Sequence, residues 1–217
     1  MKRLGDKMLV QYKTISKNSE AMIIEKKSKF IATVYKVESP EEAESYLAQL
    51  RKKYYDATHN CFAYQIGENN EFQKSSDDGE PQGTAGKPIL EVLKGDEIKN
   101  TLICVTRYFG GTLLGTGGLV RAYGKAAKEG LLAAGIIEKR KVYLYNLKIP
   151  YTLVGKIQYL LGEKGYVIRK STYLEEVEFE VEVFIKDSES FEKWLNEKTN
   201  AAISITKGQE AFIDVPL

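Results

Sequence analysis

The sequence predicts an α+β protein of two domains, residues 1–137 and 138–217. Short strand-like runs and stretches of helical periodicity follow one another along the whole chain. A charged run, Glu138-Lys139-Arg140-Lys141, interrupts that pattern. Beyond it the elements read β-α-β-β-α-β, the order of a ferredoxin-like unit.

Each element has a local reason. Residues 9–15 and 21–25 are strand-like and flank the turn-forming Lys17-Asn18-Ser19. Residues 30–37 continue them as an antiparallel meander. Ser39-Pro40-Glu41-Glu42 opens a helix: a serine N-cap, proline in the first turn, then carboxylates facing the helix dipole. Ala43, Tyr46, Leu47 and Leu50 give it one apolar face, ending near Lys53. Residues 60–66 form a strand, with 72–75 as its partner. A polar, glycine-rich loop covers 75–87. A short helix over 88–94 opens on Pro88 and closes at Gly95. Residues 101–109 are strongly apolar and predict a central strand. Residues 110–118 form a glycine-rich turn, and a helix over 119–134 buries Leu119, Ala122, Tyr123, Ala126 and Ala127 before Gly135.

The charged run after it is expected to be a protease-sensitive linker. A strand over 142–149 follows it, then an amphipathic helix carrying Leu153, Ile157, Leu160 and Leu161. Residues 166–171 form a strand. Residues 176–183 alternate glutamate with an apolar residue, as in a sheet with one wet face. Phe191, Trp194 and Leu195 mark a second helix, and a strand over 202–206 continues near 211–215.

Composition narrows the function. With 43% hydrophobic and 29% charged residues the chain can bury a core, which excludes wholesale disorder. Its 32 basic and 30 acidic residues leave a net charge of +2, so contact with a polyanion has to come from a local patch. No apolar stretch follows Met1-Lys2-Arg3, and none approaches the ~20 residues of a membrane span. Cys61 and Cys104 lie in apolar runs and are expected to be buried free thiols. These features predict a reduced, cytoplasmic protein with no membrane partner.

The sharpest local feature is Gly110-Gly111-Thr112-Leu113-Leu114-Gly115-Thr116-Gly117-Gly118, between a strand and a helix. Glycines allow positive φ and close approach, and the helix start offers unpaired N–H groups to an anion. It is neither a P-loop, since Thr116 follows Gly115 where lysine is required, nor a dinucleotide fingerprint, since Val120 holds the third glycine position. The alternative is a tight connection that packs helix against strand. Arg121, Lys125 and Lys128 form one helical stripe beside the turn, and Arg107 lies near the end of the strand before it. Together with Gly110, Gly111, Gly115, Gly117 and Gly118 they are the candidate anion- or nucleic-acid-binding residues. Tyr108, Phe109 and Tyr123 are candidates for base stacking or for the core.

Asp77, Asp78 and Glu80 offer carboxylates to a divalent ion; the alternative is a solvated loop whose Asp or Ser caps the next helix. His59 is the sole histidine. With Cys61 and Cys104 it supplies three potential zinc ligands, too few for a closed structural site, so no bound metal or other cofactor is expected.

Three stretches carry a resemblance: His59-Asn60-Cys61-Phe62-Ala63-Tyr64; Ser76-Asp77-Asp78-Gly79-Glu80-Pro81-Gln82-Gly83-Thr84-Ala85-Gly86; and Arg107-Tyr108-Phe109-Gly110-Gly111 with Gly115 to Tyr123. They resemble the IMPACT family in its bacterial branch. The second half is similar to the companion domain of bacterial members, itself like the last domain of elongation factor G. The resemblance implies a first domain of the ribosomal-protein-S5-domain-2-like fold and a link to translation. It assigns no catalytic activity. An RNA- or ribosome-binding protein that modulates translation initiation, with a possible protein partner, is the preferred reading. The alternative is a metal-dependent enzyme acting on a phosphorylated substrate; no nucleophile–base pair in the sequence favours it.

Overall fold

The computed structural model of the chain describes residues 9–216. Its elements run β1 (Gln11–Ile15), β2 (Ser19–Glu25), β3 (Ser28–Lys36), α1 (Pro40–Lys53), β4 (His59–Ile66), β5 (Phe72–Ser76), α2 (Gly86–Gly95), β6 (Thr101–Tyr108), α3 (Thr116–Ala134) and β7 (Ile136–Ile149). Then come α4 (Val154–Lys164), β8 (Val167–Tyr173), β9 (Val177–Phe184), α5 (Ser188–Thr199) and β10 (Ser204–Pro216). The class is α+β, as the sequence predicts. Two compact units divide between Glu138 and Lys139, and residues 9–11 group with the second of them.

The first unit is built on an antiparallel sheet in the order β2-β3-β6-β4-β5, so the apolar strand β6 is central. Helices cover both faces. Phe30, Ala32, Val34, Cys61, Ala63, Ile103 and Val105 point to α2 and α3. Ile31, Phe62, Tyr64, Leu102 and Cys104 point to Ala43, Leu47 and Leu50 of α1. Burial on both faces explains why β4 and β6 read as continuous apolar runs instead of alternating. The helix α3 lies close on β3: a Cβ at Gly130 would sit 2.8 Å from Val34 Cγ2.

The α1 start is as expected, with Ser39 Oγ accepting the Glu42 N–H at 3.2 Å. The other two helices of this unit begin earlier than expected. For α2 the reason is Asp77, whose Oδ1 accepts the N–H groups of Ala85 and Gly86 at 3.0 and 2.8 Å and caps the helix from a distance. For α3, Gly117 and Gly118 belong to the first helical turn and not to the loop.

In the second unit β8, β9 and β7 are neighbours and β10 pairs with β7, the ferredoxin-like order. Val177, Phe179, Val181 and Val183 of β9 are fully buried against Ile157, Leu161, Phe191 and Leu195 of the two helices, and the intervening glutamates take the other face. The charged run is not a linker: β7 continues through Lys139, Arg140 and Lys141. Two of those charges have partners on β10, Lys139 with Asp214 and Lys141 with Glu210 at 2.7 Å. The two pieces expected near the C-terminus form one strand, in which Gly208 lies against Leu144 O, 2.2 Å from where a Cβ would stand.

Candidate anion-binding site

The glycine-rich turn leaves the end of β6 and delivers the chain to α3. Gly110 is required by packing, since a Cβ there would lie 2.0 Å from the Lys27 carbonyl carbon in the β2–β3 turn. Gly111 and Gly115 take φ of +81° and +73°, a conformation that favours glycine. Gly115 is the α3 N-cap and brings no capping side chain. Leu119 N–H is the first to bond back, to Gly115 O at 2.9 Å. The amides of the preceding turn therefore lack a capping acceptor from the N-cap residue.

Arg121 and Lys125 are exposed on α3. With Glu25, Lys26, Leu114, Gly118 and Ala122 they line a pocket of about 220 Å³. Lys128 is also exposed on α3 but does not line that pocket. Lys26 was not among the residues singled out by the sequence. Its signal was present in Glu25-Lys26-Lys27-Ser28, two lysines placed between two strand-like runs.

Arg107 is elsewhere. It is 5% exposed, its guanidinium held over the Phe30 and Phe109 rings at 5.4 and 5.6 Å. Nη1 donates to Glu80 Oε1 at 2.6 Å and Nη2 to Ser28 Oγ at 3.3 Å. The structure thus brings Arg121 and Lys125 to one pocket and sends Arg107 into the interior. The aromatic residues divide in the same way. Tyr123 is fully buried, Tyr108 donates to Asp56 Oδ1 at 2.8 Å, and Phe109 is 48% exposed.

The acidic loop is bound up in the fold. Asp77 Oδ2 accepts Gly83 N–H at 2.8 Å, in addition to the two α2 amides. Burial pushes the Asp77 pKa upward, and the three backbone N–H donors overcome that, leaving it below its ordinary value. Asp78 Oδ2 accepts Asn60 N–H at 2.6 Å. Glu80 receives Arg107 and, at 2.7 Å, the Tyr123 hydroxyl. Burial drives the Tyr123 pKa up, and the nearby Cys61 and Glu80 push it further the same way. Among the described residues no three His, Cys, Asp or Glu side chains form a group that could hold a metal ion.

His59 sits at the rim of this network. Its Nδ1 is 2.8 Å from Asp78 O, and a carbonyl only accepts, so Nδ1 carries the proton. Its Nε2 faces Glu80 Oε1 at 3.8 Å. Both cysteines are free and buried. Burial pushes the Cys104 thiol up to about 12 and raises that of Cys61 as well, so both are poor nucleophiles. No helix among the described residues is long and apolar enough to cross a membrane.

Residues 26–131 match the model of the Impact N-terminal domain, and residues 147–202 match a domain of unknown function, DUF1949. The chain is 42% identical to the IMPACT family member YvyE of Bacillus subtilis over 95% of each protein. It is 39% identical to the IMPACT family member YigZ of Escherichia coli, over 68% of this chain and 74% of that one. The Protein IMPACT homolog of Dictyostelium discoideum is 46% identical over 43% of this chain and 28% of its own length. A crystal structure described as that of a hypothetical protein superposes with a TM-score of 0.60 at 30% identity, covering 93% of this chain and 99% of that one. With its first unit matching the family's N-terminal domain and near-complete coverage of a bacterial member, this chain belongs to the IMPACT family.

Proposed function

We propose that the chain is a non-enzymatic RNA- or ribosome-binding protein that modulates translation, at initiation, in the cytoplasm. The observation that carries this reading is the exposed cationic stripe of α3, Arg121, Lys125 and Lys128, which begins just past an N-terminus whose cap offers no side chain. Such a surface suits a phosphate backbone: the helix start favours negative charge, and the stripe extends that field by about two turns. The net charge is only +2, so these few side chains are the means by which a polyanion would be held. The metal-dependent alternative gains nothing from the acidic loop, because Asp77, Asp78 and Glu80 are each engaged with backbone amides or with Arg107 and Tyr123.

The test is co-sedimentation with ribosomes across a salt series, with Arg121→Glu and Lys125→Glu combined. The double variant is expected to keep its circular dichroism spectrum, to bind more weakly, and to show a flatter dependence of log affinity on log salt. Equal binding and an equal slope would remove α3 from the interface.

A further inference from the structure

We infer that the tip of the β2–β3 hairpin is the second jaw of a phosphate-binding clamp, with Lys26 opposing Arg121 and Lys125 across the pocket beside α3 and the exposed Lys27 adding charge from the same turn. The inference rests on the reading of α3 as the element that meets a polyanion, and adds a site and a ligand chemistry to it. The ligand is a phosphate group of a nucleotide, whether free or in an RNA strand.

The backbone carries the first part of the argument. The hairpin joins its strands through Lys26 and Lys27 alone, with Glu25 opposite Ser28 in the register. Both lysines take positive φ, +44° and +65°. A two-residue hairpin turn of this kind favours Asn-Gly or Asp-Gly, because side chains with a full Cβ are strained there. Two lysines are a poor choice for the turn itself, so their charge is the reason to look for.

Placement carries the second part. The turn is held rigidly, since Gly110 packs directly on the Lys27 and Ser28 backbone and Gly110 N–H donates to Ser28 Oγ at 3.2 Å. Lys26 lines the same pocket as Arg121 and Lys125. Among the described residues none of Lys26, Lys27, Arg121 and Lys125 forms a salt bridge within the chain. Glu25 is the single carboxylate in the lining, against three cations. The pocket's volume of about 220 Å³ has room for a phosphate with its sugar. Cations from two separate elements on one small cavity make a place for a compact anion with several acceptor oxygens.

The test is the full chain with Lys26→Asn and Lys27→Gly combined. This pair supplies the preferred turn residues and removes both charges, so folding and binding should move in opposite directions. The probes are AMP and a mixed-sequence single-stranded oligoribonucleotide, followed by amide chemical shifts and by affinity over a salt series. The thermal midpoint is expected to rise. AMP-induced shifts at Gly118 and Arg121 should be lost, oligonucleotide affinity should fall roughly tenfold, and the salt slope should drop by about 1.4 for two lysines on a single strand. A more stable variant that binds both probes like the parent overturns the clamp but leaves the α3 reading standing. If the parent binds AMP at this pocket and loses it in the variant, yet binds neither ribosomes nor the oligonucleotide, the clamp holds and the RNA reading fails.

Discussion

Arg107 and Glu80 meet as an ion pair whose side chains are only 6% and 3% exposed. Glu80 Oε1 also takes the Tyr123 hydroxyl, while Arg107 Nε has no partner among the described residues. Removing one partner of a buried pair strands the other charge in a medium that solvates it poorly, at a cost of about 3–5 kcal/mol. Arg107→Met is therefore expected to lower the unfolding free energy by that amount, measured in urea. Tyr123→Phe should cost about 1.5–3 kcal/mol, the net worth of one hydrogen bond to a charged group. Arg107→Met with Glu80→Leu should recover much of the loss, because no charge is then left buried. If the single and double variants lose the same stability, the pair is not what fastens the acidic loop to the sheet.

At the scale of elements, the loop before α2 works as a remote cap. Asp77 reaches back over the turn and holds three backbone amides, two of them at the start of that helix. This arrangement makes the helix start sensitive to acid. The folded pKa of Asp77 lies below its ordinary value of 3.8, so its contribution is present above that value and is lost as pH falls through the lower, folded one. Asp77→Asn is expected to flatten the acid limb of a stability–pH curve below about pH 4. It should also speed hydrogen exchange at Gly83, Ala85 and Gly86 at neutral pH. An unchanged acid limb would move the acid sensitivity to other carboxylates. The sequence shows a polar loop here and a helix at Pro88. It offers an Asp or Ser of the loop as the cap of that helix but does not show which one, because a cap eight residues upstream belongs to none of the local capping patterns.

At the scale of the whole molecule, the two units divide at Glu138/Lys139 within a continuous strand. Trypsin needs an extended, accessible segment, and Lys139 and Lys141 are ion-paired, with side chains only 16% and 14% exposed. Mild digestion is expected to leave the bonds after Lys139, Arg140 and Lys141 intact until the protein unfolds. Early fragments ending at any of them would show that β7 opens there. The charged run looks like a linker because charge is usually solvated. Its carboxylate partners, Asp214 and Glu210, lie some seventy residues away and become neighbours only once β10 pairs with β7.

The sequence by itself determined the α+β class, the order of helices and strands, the central place of β6, the exposed α3 stripe and the family. Those are written in local quantities: apolar spacing, caps, glycine runs and motif residues. The tertiary structure alone decided which charged residues distant in the chain are brought together or buried. Arg107 and Glu80 are 27 residues apart in the chain and find each other only when the sheet forms. Lys26 lies far from Arg121 along the chain and reaches its pocket only because Gly110 lets the hairpin turn pack on the loop. Spacing along a chain fixes which side of an element a residue takes, whereas its partner is fixed by long-range pairing that no local period encodes.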